Sequence, residues 1–302
     1  MRVAVVGAGA IGCTYGWHLA RAGHEVALLD VREDHVATIA RAGLIAELPD
    51  GREEAVGVEA STDARSLAPA QVLLVATKSF ATEDAGRGAL PLMGPASRVT
   101  TVQNGLGNVE ALGRVFGTER VVAGSTTVAA EPGGVGRVRI AESVVEGRST
   151  TVLGAGLDEF GAALTASGLP AVADAHVEVV IWRKLVLAGS MGPLSAVLGA
   201  TVGGTLGNPA AVALLRRLIL EIAAVARACG SPVDDAGSWA LAETTFGSLG
   251  DHRASMAVDL AEGRRTEIEA MCLEVARLGR EHGVPTPVNE VVGQLVLALE
   301  AR

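Results

Sequence analysis

Residues 2–12 read Arg2-Val3-Ala4-Val5-Val6-Gly7-Ala8-Gly9-Ala10-Ile11-Gly12, and this stretch decides the fold. A short apolar strand runs straight into glycines spaced G-x-G-x-x-G, and a helical pattern follows from Cys13 to Arg21. Gly7 permits the tight turn, Gly9 lets backbone approach a pyrophosphate, and Gly12 lets the helix pack closely on the strand. With Ala8, Ala10 and Ile11 they form a cradle at a helix N-terminus, where free N–H groups and the helix dipole favour phosphate. A glycine triplet alone is weak, because a tight turn in any α/β protein can produce one. The context strengthens it. A second strand, Glu25-Val26-Ala27-Leu28-Leu29, ends in the acid Asp30, 18 residues after Gly12, as a dinucleotide site requires.

Working outward, the chain alternates strands and helices. Strand 2–6 precedes helix 10–22, strand 25–29 and helix 33–41. A loop rich in Pro, Asp and Gly leads to Gln71-Val72-Leu73-Leu74-Val75-Ala76, an apolar run typical of a parallel strand buried on both faces. Helix 81–90, strand 98–102 and helix 108–115 follow, then strands near 120–129, 135–140 and 149–153. The later strands, around the Pro132-Gly133-Gly134 turn, read as antiparallel. Helix 157–166 and a last strand at Ala171-Val172 complete this half. From His176 strand signals vanish and helices are expected at 176–198, 209–229, 234–248, about 251–278 and 287–300. The reading is an α/β fold: a doubly wound sheet over residues 1–173, its ligand at the strand carboxyl ends, then an all-helical domain over 174–302.

Composition narrows the function. The 302 residues are 49% hydrophobic, which opposes disorder, and the net charge of −9 opposes a nucleic-acid partner. The uncharged stretch Leu185–Leu215 is broken by Gly189, Gly192, Pro193, Gly199 and others, so buried helices are expected rather than a membrane span. No signal peptide is read at the N-terminus. Cys13, Cys229 and Cys272 match no metal or disulfide spacing, and a reducing cytoplasm is the expected compartment.

Several polar residues fall where chemistry would sit. Asp30 can accept both adenosine-ribose hydroxyls and would repel a 2′-phosphate, which favours NAD; Arg32 nearby can instead pair a phosphate, leaving NADP as the alternative. Thr77, Lys78 and Ser79 end one strand, and Gln103-Asn104-Gly105 ends another. Lys78 can reach a ribose or phosphate, and Asn104 a nicotinamide ribose or substrate oxygen. The competing readings are a surface lysine and an Asn-Gly turn. Lys184, entering an uncharged helix, would be partly desolvated, which brings a lysine toward general-acid work, unless it snorkels to the surface like Arg183. The stretch His252 to Asp259, followed by Gly263-Arg264-Arg265-Thr266-Glu267-Ile268-Glu269, carries Asp251, Ser255, Asp259 and Glu262 at helical spacing. Glu267 can pair a lysine or hold a substrate hydroxyl; most of the other charges read as a solvated helix face.

With these residues in view the chain resembles the ketopantoate reductase (2-dehydropantoate 2-reductase) family over essentially its full length. The landmarks are Gly7–Gly12, Thr77-Lys78-Ser79, Gln103-Asn104-Gly105, Trp182-Arg183-Lys184-Leu185, and Ser255-Met256 through Glu269. The resemblance implies a Rossmann-type domain joined to a helical domain, with the active site in the cleft between them. It implies that Lys184 is the general acid protonating a 2-oxo carbonyl, and that Glu267 orients substrate and lysine. Ser255 and Asn104 would contact substrate, with His252 nearby, and Lys78 and Asn104 the cofactor. The chain also departs from the family. Ala188 and Gly192 stand where ketopantoate-specific members carry asparagines, with Val202 further on, and Val31 replaces the basic residue of NADPH-dependent members. A recognition shell stripped of donors redirects specificity. The expectation is therefore NADH-dependent reduction of a 2-oxo acid, bulkier or more apolar than ketopantoate. The alternatives are an authentic NADPH-dependent 2-dehydropantoate 2-reductase, and a dinucleotide-binding sensor without turnover. A homodimer is one use for the apolar helices 209–229 and 287–300; core packing is the other.

Overall fold

The computed structural model describes residues 1–301. The first half is built from β1 (Arg2–Val6), α1 (Ala10–Arg21), β2 (Glu25–Leu29), α2 (Glu33–Ala42), β3 (Leu44–Glu47), β4 (Glu53–Val56), β5 (Glu59–Ser61), β6 (Ala70–Val75), α3 (Thr82–Ala89), β7 (Met93–Thr101) and α4 (Asn108–Phe116). It continues with β8 (Val121–Thr126), β9 (Ala130–Pro132), β10 (Arg137–Ile140), α5 (Glu142–Val145), β11 (Thr151–Leu153), α6 (Asp158–Ala166) and β12 (Ala171–Ala173). The helical half comprises α7 (Val177–Leu198), α8 (Val202–Leu206), α9 (Pro209–Ala228), α10 (Asp235–Gly247), α11 (Ser255–Ala261), α12 (Cys272–His282) and α13 (Pro287–Glu300).

Eight strands form the main sheet in the order β12-β11-β8-β7-β6-β1-β2-β5. Those from β5 to β8 run parallel; β11 pairs antiparallel with β8. Alternation explains how both faces are buried. Val3 and Val5 enter one core with Tyr15 and Trp17 of α1, while Ala4 and Val6 enter another with Ala89, Leu112 and Phe116 of α3 and α4. The strand order reverses at β1, which has β2 on one side and β6 on the other. Open α/β sheets bind ligands at such a switch point, beyond the strand carboxyl ends.

Two expectations need correction. The segment expected as a loop between 42 and 70 holds β3, β4 and β5, with β3 and β4 in a second sheet ordered β4-β3-β10-β9. These strands are only three or four residues long and half exposed, too short for alternation to declare itself. The antiparallel expectation holds for β9 and β10 across the Pro132-Gly133-Gly134 turn and for β11 against β8, but is too broad: β8 is parallel to β7, β12 to β11 and β10 to β3.

The helical expectation at 251–278 fails more instructively. The segment divides into α11 and α12, and Asp251, His252 and Arg253 lie before both in an exposed loop. Gly263, at φ +67°, stops α11: the Arg264 N–H turns back to the Asp259 carbonyl at 2.8 Å, as in a glycine-terminated helix end. The helical spacing of Asp251, Ser255, Asp259 and Glu262 gives no sign of this stop, because it depends on the conformation of one glycine rather than on a period.

The contacts divide the chain into two compact units, Met1–Gln103 with Asn108–Val177, and Asn104–Gly107 with Glu178–Arg302. A single boundary at 173 does not describe this division, because the short Asn104–Gly107 segment packs with the helices. Gly105, at φ +84°, makes this possible: a side chain there would meet the Ala270 carbonyl at 2.4 Å. The helical unit's core centres on α9, whose Leu215, Leu218, Ile219 and Ile222 are fully buried. Among the described residues no helix is long and apolar enough to cross a membrane.

Candidate active site

In the first unit the glycine loop leaves β1 with each glycine under a different constraint. Gly7 has φ +99°, and a side chain on it would lie 2.7 Å from Thr77. A side chain on Gly12 would meet the Gly7 carbonyl at 1.9 Å, so helix and turn interlock there. At Gly9 nothing lies within 4 Å of that position. Gly9 is also the N-cap of the 12-residue helix α1, without a capping side chain. Open backbone at an uncapped helix start fits a pyrophosphate.

Asp30 folds back onto this loop. Its Oδ2 accepts the Ala8 N–H at 2.7 Å, and its Oδ1 accepts the Arg32 N–H at 3.0 Å and Nε at 3.4 Å. Arg32 closes the arrangement by donating Nη2 to the Ala8 carbonyl at 3.1 Å. Its guanidinium is therefore engaged with the carboxylate and the loop. Val31, between them, is 91% exposed. Lys78 is exposed at the end of β6, and Thr77 is half-buried.

Sequence reasoning missed two supports of this loop. Gln103 donates its amide to the Thr77 carbonyl at 2.8 Å and to the Thr82 hydroxyl at 2.9 Å, stitching the ends of β6 and β7 together. His35, buried under the loop, accepts the Gly136 N–H on Nδ1 at 2.9 Å, and its Nε2 lies 3.6 Å from Cys13 Sγ. Burial lowers its pKa and favours the neutral ring. Burial pushes the Cys13 thiol up to about 12, and the thiol donates to the Ala8 carbonyl at 3.2 Å. Gln103 lies in the Gln103-Asn104-Gly105 landmark, but its bonds to Thr77 and Thr82 had no sequence signal, and His35 belongs to no motif; only the fold brings them to the loop.

The helical unit carries the other group. Lys184, Ala188 and Gly192 are spaced by four along α7 and share one face of the helix. Burial lowers the Lys184 ammonium to about 8, opposed by the attraction of Glu267, which raises it. The Glu267 residue is buried, at the start of the short turn Ile268–Ala270. The Ala270 carbonyl accepts the Leu106 N–H at 2.8 Å, so the turn carrying Glu267 also holds the segment carrying half-buried Asn104. Lys184, Glu267 and Asn104 thus come from three stretches of sequence into one unit.

The remaining expected residues are placed less closely. Ser255 is exposed at the first position of α11. Exposed His252 accepts the Val202 N–H on its backbone carbonyl, rather than lying on a helix. Asp259 is buried, bonded to Arg264 Nε at 2.9 Å, which is a structural pairing. Gly192 is buried, and a methyl added there would touch Met256 of α11 at 3.6 Å, an ordinary contact. Pro193 supplies no N–H to the Gly189 carbonyl one turn back, and the Cys272 thiol donates to that carbonyl at 3.3 Å. Burial raises the Cys272 pKa, which keeps this donor protonated.

Comparison with known proteins now bears on these residues. The model of "Ketopantoate reductase PanE/ApbA" matches residues 3–156, and that of its C-terminal domain matches residues 176–300. The chain belongs to the ketopantoate reductase family. Its members are oxidoreductases acting on 2-oxo acids with a nicotinamide cofactor. A 2-dehydropantoate 2-reductase of Halobacterium salinarum is 29% identical over 299 residues, covering 98% of each chain. A PanE/ApbA family ketopantoate reductase from Ralstonia eutropha superposes with a TM-score of 0.91 at 33% identity, covering 100% of this chain and 99% of that one. D-mandelate dehydrogenase, solved with NADH and anilino(oxo)acetate, superposes at 0.92 with 26% identity, covering 100% and 98%.

One compositional signal went unread. Of the 25 basic residues only two are lysines, Lys78 and Lys184. Positive charge in this chain is otherwise carried by arginine, which does not release its proton in proteins. Lys78 and Lys184 therefore carry the only side-chain ammonium groups in the chain.

Proposed function

We propose that this protein reduces a 2-oxo acid bulkier or more apolar than ketopantoate, with NADH as reductant and Lys184 as general acid. The observation that carries the reading is the α7 face itself: beside Lys184 it presents Ala188 and Gly192, neither with a hydrogen-bonding side chain. A site made to bind a substrate hydroxyl rejects analogues without one, and a site lacking such donors accepts apolar substituents. The likeness to D-mandelate dehydrogenase, solved with NADH and anilino(oxo)acetate, supports the same direction.

On this reading the two units carry two parts of one reaction. The loop from Gly7 to Gly12 holds the pyrophosphate, while Asp30 and neighbouring Val31 leave no free cation for a 2′-phosphate; Thr77, Lys78 and Asn104 contact the rest of the nucleotide. The bound nicotinamide supplies a hydride to the carbonyl carbon. As electrons move onto the carbonyl oxygen, the Lys184 ammonium stabilises the developing charge and donates a proton from Nζ, giving the 2-hydroxy acid. Glu267 keeps the ammonium oriented, and Ser255 and Asn104 contact the substrate. In the reverse direction neutral Lys184 accepts the hydroxyl proton.

The names of the curated relatives favour a second reading, an NADPH-dependent 2-dehydropantoate 2-reductase. It requires Arg32 to leave Asp30 and the Ala8 carbonyl for a phosphate. Steady-state kcat/KM for ketopantoate, branched 2-oxo acids and aryl 2-oxo acids, each with NADH and NADPH, separates the two. The expected result is roughly 10-fold or greater preference for an apolar oxo acid and for NADH. Highest efficiency with ketopantoate and NADPH would establish the second reading.

A further inference from the structure

Glu300 is the last residue of α13. Carboxylates are disfavoured at that end of a helix, where the dipole is negative, and the last turn of α13 has no basic residue to offset it. Its position is accounted for by a single bond. Glu300 Oε1 accepts the backbone N–H of Thr266 at 2.7 Å. Thr266 is 1% exposed, and its N–H has no route to solvent at such depth. A buried N–H without an acceptor is costly, so the segment is anchored where this oxygen lies. Thr266 directly precedes Glu267, and its own hydroxyl accepts the Ile268 N–H at 3.2 Å. Glu267 is thereby bracketed on both sides, with Ala270 held in turn by Leu106.

We propose that Glu300 is a positioning residue for the reductive centre, its carboxylate holding the Thr266–Glu267 backbone so that Glu267 faces Lys184. The inference rests on the reading of Lys184 and Glu267 as the working pair. It adds that this pair is set by the final turn of the last helix, some thirty residues downstream. Two features separate this role from simple stabilisation. The bond is made to backbone, so any acceptor of the right reach can serve. The consequence passes through Glu267, so it must register in the titration of Lys184.

The test is direct because Lys78 and Lys184 are the only lysines in the chain. Lysine-selective 15N and 13C labelling gives two side-chain signals, assigned with Lys78→Arg, and the Lys184 midpoint is read without turnover. Glu300→Ala and Glu300→Asp are compared with Glu300→Gln. Asp keeps the charge and loses the reach; Gln loses the charge and keeps an acceptor. Ala and Asp are expected to lower the Lys184 midpoint, because an attractive carboxylate has drifted away, and to reduce kcat roughly 10-fold at little change in oxo-acid KM. Gln is expected to restore both. A midpoint unmoved by Ala and Asp would overturn the proposal. So would equal shifts in Ala and Gln with none in Asp, since that pattern means direct charge. Thermal melts exclude unfolding as the cause. If Lys184→Ala itself leaves turnover intact, the functional reading fails; if it abolishes turnover while the Glu300 variants titrate normally, only this inference fails.

Discussion

The glycine loop and the Lys184 centre are built in opposite ways. The loop is contiguous, made of backbone, and specified by what its residues lack: no Cβ at Gly7 or Gly12, and no capping side chain at Gly9. The Lys184 centre is discontinuous and made of side chains, with Lys184, Glu267 and Asn104 drawn from α7, a turn before α12 and a four-residue segment after β7. The first arrangement suits a constant chemical group and tolerates little change at Gly7 and Gly12. On the proposed reading, the second keeps its reacting pair while the residues next to it, Ala188 and Gly192, suit another substrate.

Replacing Lys184 by Arg cuts this comparison most sharply. The positive charge remains, but a guanidinium does not give up its proton. Loss of the general acid is expected to reduce kcat by roughly 10²- to 10⁴-fold. Cofactor affinity, measured by NADH fluorescence, is expected to stay within about 2-fold, because the loop belongs to the other unit. Near-normal turnover in Lys184→Arg would mean that charge alone suffices and that proton transfer lies elsewhere.

A smaller effect follows from pH. The Lys184 pKa of about 8 lies below the ordinary 10.5, so the folded protein loses this proton first. Reduction needs the protonated form and is expected to fall about 10-fold per pH unit above 8, whereas oxidation of the 2-hydroxy acid, which needs the neutral amine, is expected to rise up to about pH 8 and level off above it. By linkage, the Lys184 contribution to folded stability grows between pH 8 and 10.5, where the unfolded chain holds this proton and the folded one does not, while the buried Cys13 and Cys272 thiols, raised by burial, act in the opposite direction as pH rises. Loss of reductive activity above pH 8 is therefore not a sign of unfolding. A melt at pH 9 and a rate profile measured in both directions check this together.

The same contrast explains what could be read from sequence. The loop was legible because its constraints are local: a strand, three glycines and a distant acid lie in order along 29 residues from Arg2 to Asp30. Lys184 and Glu267 stood out from the residues only as candidates, since a lysine on an apolar helix and a glutamate among charges each have an ordinary reading, and it was the family resemblance that gave them roles. What stayed hidden depends on meetings between remote segments. Gln103 reaches Thr77, His35 reaches Gly136, and Glu300 reaches Thr266, and none of these pairs leaves a periodic or compositional trace. Helix α11 was overextended for a related reason: Gly263 is a stop whose left-handed conformation, rather than its spacing, ends the helix.

The smallest expected effect separates two glycines that look equivalent in the motif. Gly12→Ala places a methyl 1.9 Å from the Gly7 carbonyl, a backbone atom that cannot swing aside, so turn and helix must part. The expected cost is about 1–3 kcal/mol of stability, seen as a lowered melting temperature with or without cofactor. Gly9→Ala meets nothing within 4 Å, and the free protein is expected to melt within a degree or so of the parent. Its methyl would instead occupy the approach of a pyrophosphate, raising KM for NADH several-fold while kcat at saturation and KM for the oxo acid hold. If Gly9→Ala bound NADH normally, the phosphates would lie elsewhere on the loop, and the division of labour between a packing glycine and a binding glycine would have to be redrawn.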